Sequence, residues 1–124
     1  MCIRDSVDTA RTLVEAVKDE PALWLWYLSD EPGRRDDPEK VCANLNRIYR
    51  MIKQVDPNHP VVICGTRAEF FHVNNADNAD ILWPNTYPVP DGPWRWTMTE
   101  PSTYAARWPD KSIWGVSQLS LIHI

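Results

Sequence analysis

Two adjacent carboxylates, Asp30 and Glu31, close an aromatic apolar run, Ala22 to Leu28 (Ala-Leu-Trp-Leu-Trp-Tyr-Leu), and are followed by Pro32-Gly33. A carboxyl group held at the end of a buried element can pass a proton in catalysis or accept hydrogen bonds from a ligand. Asn85 and Tyr87, in Asn-Thr-Tyr-Pro, add an amide and a phenol, and Gln118 adds a second amide. Trp94 and Trp96 lie in the stretch Val89–Thr97. Their flat apolar faces, each with one N–H donor, suit the stacking of sugar rings. Each of these residues also has a plainer reading. Asp30 and Glu31 could be solvated loop charges or a helix cap. Asn85 and Tyr87 could simply build a turn, and the loop tryptophans could fold back over the core. Trp24 and Trp26, inside the apolar run, read as packing residues, and His59, between two prolines, as structural.

The elements that must position these groups alternate along the chain. Val7 to Lys18 carries a helical apolar stripe (Val7, Ala10, Leu13, Val14, Val17). Ala22 to Leu28, apolar on both faces, reads as a buried parallel strand. The next helix has the sharpest signal. Asp37 can cap it, Pro38 fits the first helical position, and Val41, Leu45, Ile48, Ile52 and Val55 form one stripe. Asp56-Pro57-Asn58-His59-Pro60 stops it. Strands are then expected at Pro60–Cys64, Asp80–Trp83 and Ser112–Gln118. A short helix over Ala68–Val73 and another from Glu100 to Trp108, beginning near Pro101, separate them. Regular alternation with short connections implies βαβ units and a parallel sheet. No glycine-rich phosphate loop follows any strand, which weighs against nucleotide binding. Polar groups instead gather after several strands, at Asp30/Glu31, Asn85/Tyr87 and Gln118, as the catalytic face of a barrel requires. The expected fold class is α/β, a partial (β/α)8 TIM barrel of about four βα units, because a whole barrel needs ~250 residues.

Composition narrows the partners. The chain has 124 residues and a formal net charge of −4. It shows no basic stripe for nucleic acid or anionic lipid and no apolar run long enough to cross a bilayer. Its Cys/His spacing resembles no zinc site. Cys42 and Cys64 read as small buried hydrophobes, and no cofactor or metal is expected. The termini stand apart. The codons that fit Met1-Cys2-Ile3-Arg4-Asp5-Ser6 and Leu119-Ser120-Leu121-Ile122-His123-Ile124 are reverse complements of one another, and both resemble a transposon adapter used in sequencing libraries. Residues 1–6 and 119–124 are therefore expected to be adapter-derived and are set apart from fold reasoning. Residues 7–118 are expected to be a partial barrel domain cut from a longer protein.

Trp24-Leu25-Trp26-Tyr27-Leu28-Ser29-Asp30-Glu31-Pro32 resembles the fourth strand of the retaining glycoside hydrolases that share a (β/α)8 barrel, the broad group of β-galactosidases, β-mannanases and cellulases. Met51 to Pro60, running into Val61-Val62-Ile63, is similar to their fourth helix and fifth strand, and Asn85-Thr86-Tyr87-Pro88 to the end of their sixth. The resemblance covers most of Val7 to Gln118, about strands four to seven. It implies that Glu31 is the general acid/base of O-glycosidic bond cleavage. It also implies that Asp30 takes the place of the usual substrate-binding Asn, and that Tyr87 sits beside the nucleophile. Such chemistry needs two carboxyl groups ~5 to 5.5 Å apart for retention or ~6.5 to 9.5 Å apart for inversion. Neighbouring strand residues point to opposite faces, so Asp30 and Glu31 are not expected to be that pair. The strand-seven nucleophile of the group has no counterpart here, since Gly115-Val116-Ser117-Gln118 ends in a neutral amide. The nucleophile then lies past Gln118, comes from another loop (Asp91 or Glu100), or is missing. The parent is accordingly expected to be a glycosidase acting on a poly- or oligosaccharide, with this fragment inactive alone. The alternatives are a non-catalytic carbohydrate-binding barrel or divergent inactive relative, and a barrel of unrelated chemistry.

Overall fold

The computed structural model describes residues 3–32, 37–65, 76–87 and 92–117. Helix α1 (Ile3–Val17) leads to strand β1 (Trp26–Asp30), helix α2 (Pro38–Val55) and strand β2 (Val61–Gly65). Strand β3 (Ile81–Thr86), helix α3 (Trp96–Arg107) and two short strands, β4 (Ser112–Ile113) and β5 (Val116–Ser117), follow. All pairings are parallel. The strands lie side by side in chain order, β1-β2-β3-β4, with β5 continuing the β4 edge beside Asn85 and Thr86. The α/β class with a parallel sheet is thus observed. The short helix expected at Ala68–Val73, His72, Asp91 and Gln118 lie outside the described residues.

Local chemistry accounts for the elements and for where they depart from expectation. The Asp37 side chain accepts from the Glu39 N–H, and Pro38 occupies the first helical position of α2. The Asp37 carboxyl is held below its usual range chiefly by that backbone donor. Strand β1 begins four residues later than the apolar run, because Glu20 to Leu23 form a turn closed by a Leu23 N–H to Glu20 O bond. Trp24 therefore precedes the strand and is 71% exposed rather than packed. Helix α1 starts earlier than the stripe beginning at Val7, so it includes Ile3 to Ser6. Strand β3 runs on through Pro84 to Thr86, which makes Asn85 a strand residue and not part of a turn.

Helix α3 begins at Trp96, so Pro101 sits inside the helix instead of near its start. The proline removes one intrahelical donor. Nearby hydroxyls bond back along the same face, Ser102 to the Met98 carbonyl and Thr103 to that of Thr99. Gly115, between β4 and β5, lets this helix approach closely, since a Cβ there would lie 3.2 Å from Pro101 Cγ. Trp114 and Gly115 split what reads as one strand into two, although the Trp114 N–H still reaches the Leu82 carbonyl.

The three described helices cover one face of the sheet. Val14, Met51, Ile52 and Val61 form one buried cluster; Cys42, Leu45, Ile63, Ala79, Leu82, Tyr104 and Trp108 form another. Burial of these side chains, at roughly 1.5–3 kcal/mol for each large one, is the main favourable term. The opposite face is aromatic and open in that no described helix covers it, although Val62 and Cys64 on it are buried. Trp24 and Trp114 stand 5.4 Å apart, Trp83 meets Trp114 at 6.4 Å, and Tyr27 meets Trp83 edge-on at 5.9 Å.

Two carboxylates, Asp56 buried and Asp80 half-buried, tie the N-terminal ends of the strands. Asp80 accepts from Tyr49 Oη at 2.8 Å, from Lys53 Nζ at 3.1 Å and from the Val61 N–H at 2.9 Å. Asp56 accepts from Trp26 Nε1 at 2.8 Å and from the Asn58 and His59 N–H groups, and its other contact is His59 Nδ1 at 2.7 Å. Burial opposes ionisation of both, yet these donors outweigh it and hold both carboxyls below the usual range.

Candidate functional site

The polar groups singled out in the sequence gather at the C-terminal ends of β1 and β3. Two backbone irregularities put them there. Strict alternation from Tyr27 would turn Asp30 toward the helices. A register shift between Tyr27 and Ser29, in a bulge around Leu28, instead pairs Asp30 with Cys64 on the open face. Glu31 then adopts a left-handed conformation, φ 44°, rare for a residue with a Cβ. Its N–H is anchored to the Cys64 carbonyl at 2.8 Å. Asp30 thus lines the site on the same face as Cys64, and Glu31 is joined to it through Asn85, because the strand no longer alternates.

A cavity of about 210 Å³ opens here, lined by Tyr27, Asp30, Cys64, Trp83, Asn85, Tyr87 and Val116. Asn85 is its pivot. Only 3% exposed, it donates through Nδ2 to Glu31 Oε1 at 3.2 Å and to the Tyr87 hydroxyl oxygen at 3.3 Å. These two acceptors fix the orientation of the amide, and Asn85 Oδ1 is left buried without a hydrogen-bond partner. A buried acceptor in that state carries a desolvation penalty of about 1–3 kcal/mol. Because the Tyr87 oxygen already accepts, its own hydroxyl proton is available to a further acceptor. Tyr87 is 55% exposed, so that proton meets solvent or ligand.

The floor of the cavity was not singled out from the sequence. The Tyr27 hydroxyl donates to Asp30 Oδ1 at 3.1 Å, and the Cys64 thiol contacts both residues. Burial, the Cys64 contact and the Asp30 charge together push the Tyr27 phenol well above its usual range. Burial and the charges of Asp30 and Glu31 push the Cys64 thiol up to about 11. At neutral pH both are protonated donors, and Cys64 is no thiolate nucleophile. The signal for Tyr27 and Trp83 lay in their place on the aromatic strands, but the same residue types equally describe core packing.

The structure brings together Asp30, Glu31, Asn85 and Tyr87. Trp94 and Trp96 do not join them. They stand exposed at the start of α3, and neither is among the described residues lining the cavity. Glu100 lies within α3 and is likewise not in that lining. Among the described residues no group of three His, Cys, Asp or Glu side chains could hold a metal ion. None of the described helices is long and apolar enough to cross a membrane. No protein-family model matches the chain, and no curated protein sequence matches it.

Proposed function

We propose that the chain is part of the wall of a (β/α)8 barrel belonging to a retaining glycoside hydrolase, with Glu31 as general acid/base. The observation that carries this reading is the convergence of Glu31, Asn85 and Tyr87 from two non-adjacent strand ends through one amide. Side chains drawn from the C-terminal ends of several parallel strands are how barrel enzymes assemble a reaction centre. Parallel strands in chain order with helices on one face support a barrel wall over a doubly wound sheet, whose strand order reverses at its switch point.

In this reading Glu31 protonates the glycosidic oxygen of the leaving group and later deprotonates the incoming water. Asn85 holds the Glu31 carboxyl through Oε1. Tyr87 offers its hydroxyl proton to the carboxylate that attacks the anomeric carbon, a residue from past Gln118 or from another loop. A second reading, carbohydrate binding without hydrolysis, is favoured by one observation: Asp30 is the only carboxylate among the described residues lining the cavity.

The test is expression of a whole barrel protein that contains residues 7–118, assayed on aryl β-glycosides. Hydrolysis that falls at least about a thousandfold in Glu31→Gln, with recovery of rate by added azide, supports the acid/base role. Binding of oligosaccharide without turnover supports the second reading. Turnover untouched by Glu31→Gln excludes the assignment.

A further inference from the structure

We propose that the cavity between Tyr27, Trp83 and Tyr87 takes a protonated amine, so that the preferred ligand is an amino sugar. The sugar part of this assignment rests on the glycoside hydrolase reading above; the ammonium part rests on the cavity alone.

The lining is one-sided in its chemistry. It contains a carboxylate, Asp30, and three aromatic rings, but no Lys, Arg or His among the described residues. One Asp30 oxygen is held by the Tyr27 hydroxyl, and no cation among the described residues pairs with the carboxylate. Asn85 supplies a second acceptor, the buried and unpartnered Oδ1. Tyr27 and Trp83 meet edge-on at 5.9 Å, and both line the same small space. A carboxylate and aromatic rings around a space with no cation among its described lining residues attract an ammonium group through charge and the ring quadrupoles. The volume, about 210 Å³, is below the ~300 Å³ at which pockets for larger organic ligands begin, which suits a single pyranose ring. An anionic sugar would set its carboxylate against Asp30 and Glu31 and is disfavoured.

The experiment is an NMR titration of the full 124-residue chain at about pH 6, where an amine is charged. D-Glucosamine, D-glucose, D-glucuronate and tetramethylammonium are the probes. Glucosamine is expected to bind roughly tenfold more tightly than glucose, a ratio in keeping with one charge-assisted contact, and glucuronate not measurably. Asp30→Asn, checked for its fold by circular dichroism, should reduce glucosamine to the level of glucose. Raising salt should weaken glucosamine and leave glucose unchanged, a readout that needs no variant. Equal affinity for glucose and glucosamine overturns the ammonium site while leaving sugar binding intact, and so does a preference that survives Asp30→Asn. Tetramethylammonium binding that depends on Asp30, with no sugar bound, keeps the cation site and removes the carbohydrate reading. No binding by any probe overturns the proposal.

Discussion

The two ends of the parallel strands treat carboxylates in opposite ways. At the N-terminal end, Asp80 accepts from a phenol, an ammonium and a backbone N–H, and Asp56 from an indole and two backbone N–H groups. At the C-terminal end, Asp30 has one phenol and a thiol contact, and Asn85 keeps a buried oxygen with no partner. Glu31 moreover holds a left-handed backbone. The carboxylates of one end are satisfied and tie α2 to the sheet; the other end stores strain at Glu31 and an unmet acceptor on Asn85.

Acid should break the contrast most strongly, because it removes both anchors together. Folding lowers the Asp56 and Asp80 carboxyls. Their stabilisation is therefore complete above the ordinary carboxylate value of about 4 and is lost as pH falls through the lower folded values. Urea midpoints measured from pH 7 downward should hold nearly level to about pH 5 and then drop. A midpoint that rises on acidification would show that these pairs do not stabilise the fold.

Asp80→Ala probes the satisfied end singly. It leaves Lys53 and the Val61 N–H half-buried without their acceptor, and a loss of about 3 kcal/mol is expected in chemical denaturation. At the other end the sign reverses. Glu31→Gly relieves the left-handed conformation and should stabilise by about 0.5–1 kcal/mol in chemical denaturation. The smallest change is expected for Asn85→Leu. It removes a buried unpartnered acceptor, so stability should stay within about 0.5 kcal/mol of the parent or rise. Glucosamine binding should nonetheless be lost, and a large destabilisation here would place Asn85 among the anchors.

Much of this architecture was legible in the order of residues. The stripe from Val41 to Val55, the Asp37 cap and Pro38 specify α2 by local chemistry, and the uniformly apolar Val61 to Cys64 marks a strand buried on both faces. Helix α3 is legible from Glu100 onward but not its first four residues, because Pro101 signals a helix start locally, whereas in the structure it sits inside the helix against Gly115. Asp30, Glu31, Asn85 and Tyr87 could be nominated one by one because polar groups after apolar strands are conspicuous.

Their meeting was decided only in three dimensions. Side-chain alternation follows from the backbone of a regular strand, so a sequence that reads as a strand predicts opposite faces for Asp30 and Glu31. The bulge around Leu28 and the left-handed turn at Glu31 arise from pairing with β2, through the Asp30–Cys64 register and the Glu31 N–H to Cys64 O bond. Those contacts join residues more than thirty positions apart, and no local pattern encodes them. The sequence by itself determined the alternating elements, through short-range periodicity and capping. Which polar groups share one cavity was set by the tertiary structure, because strand register is a long-range property.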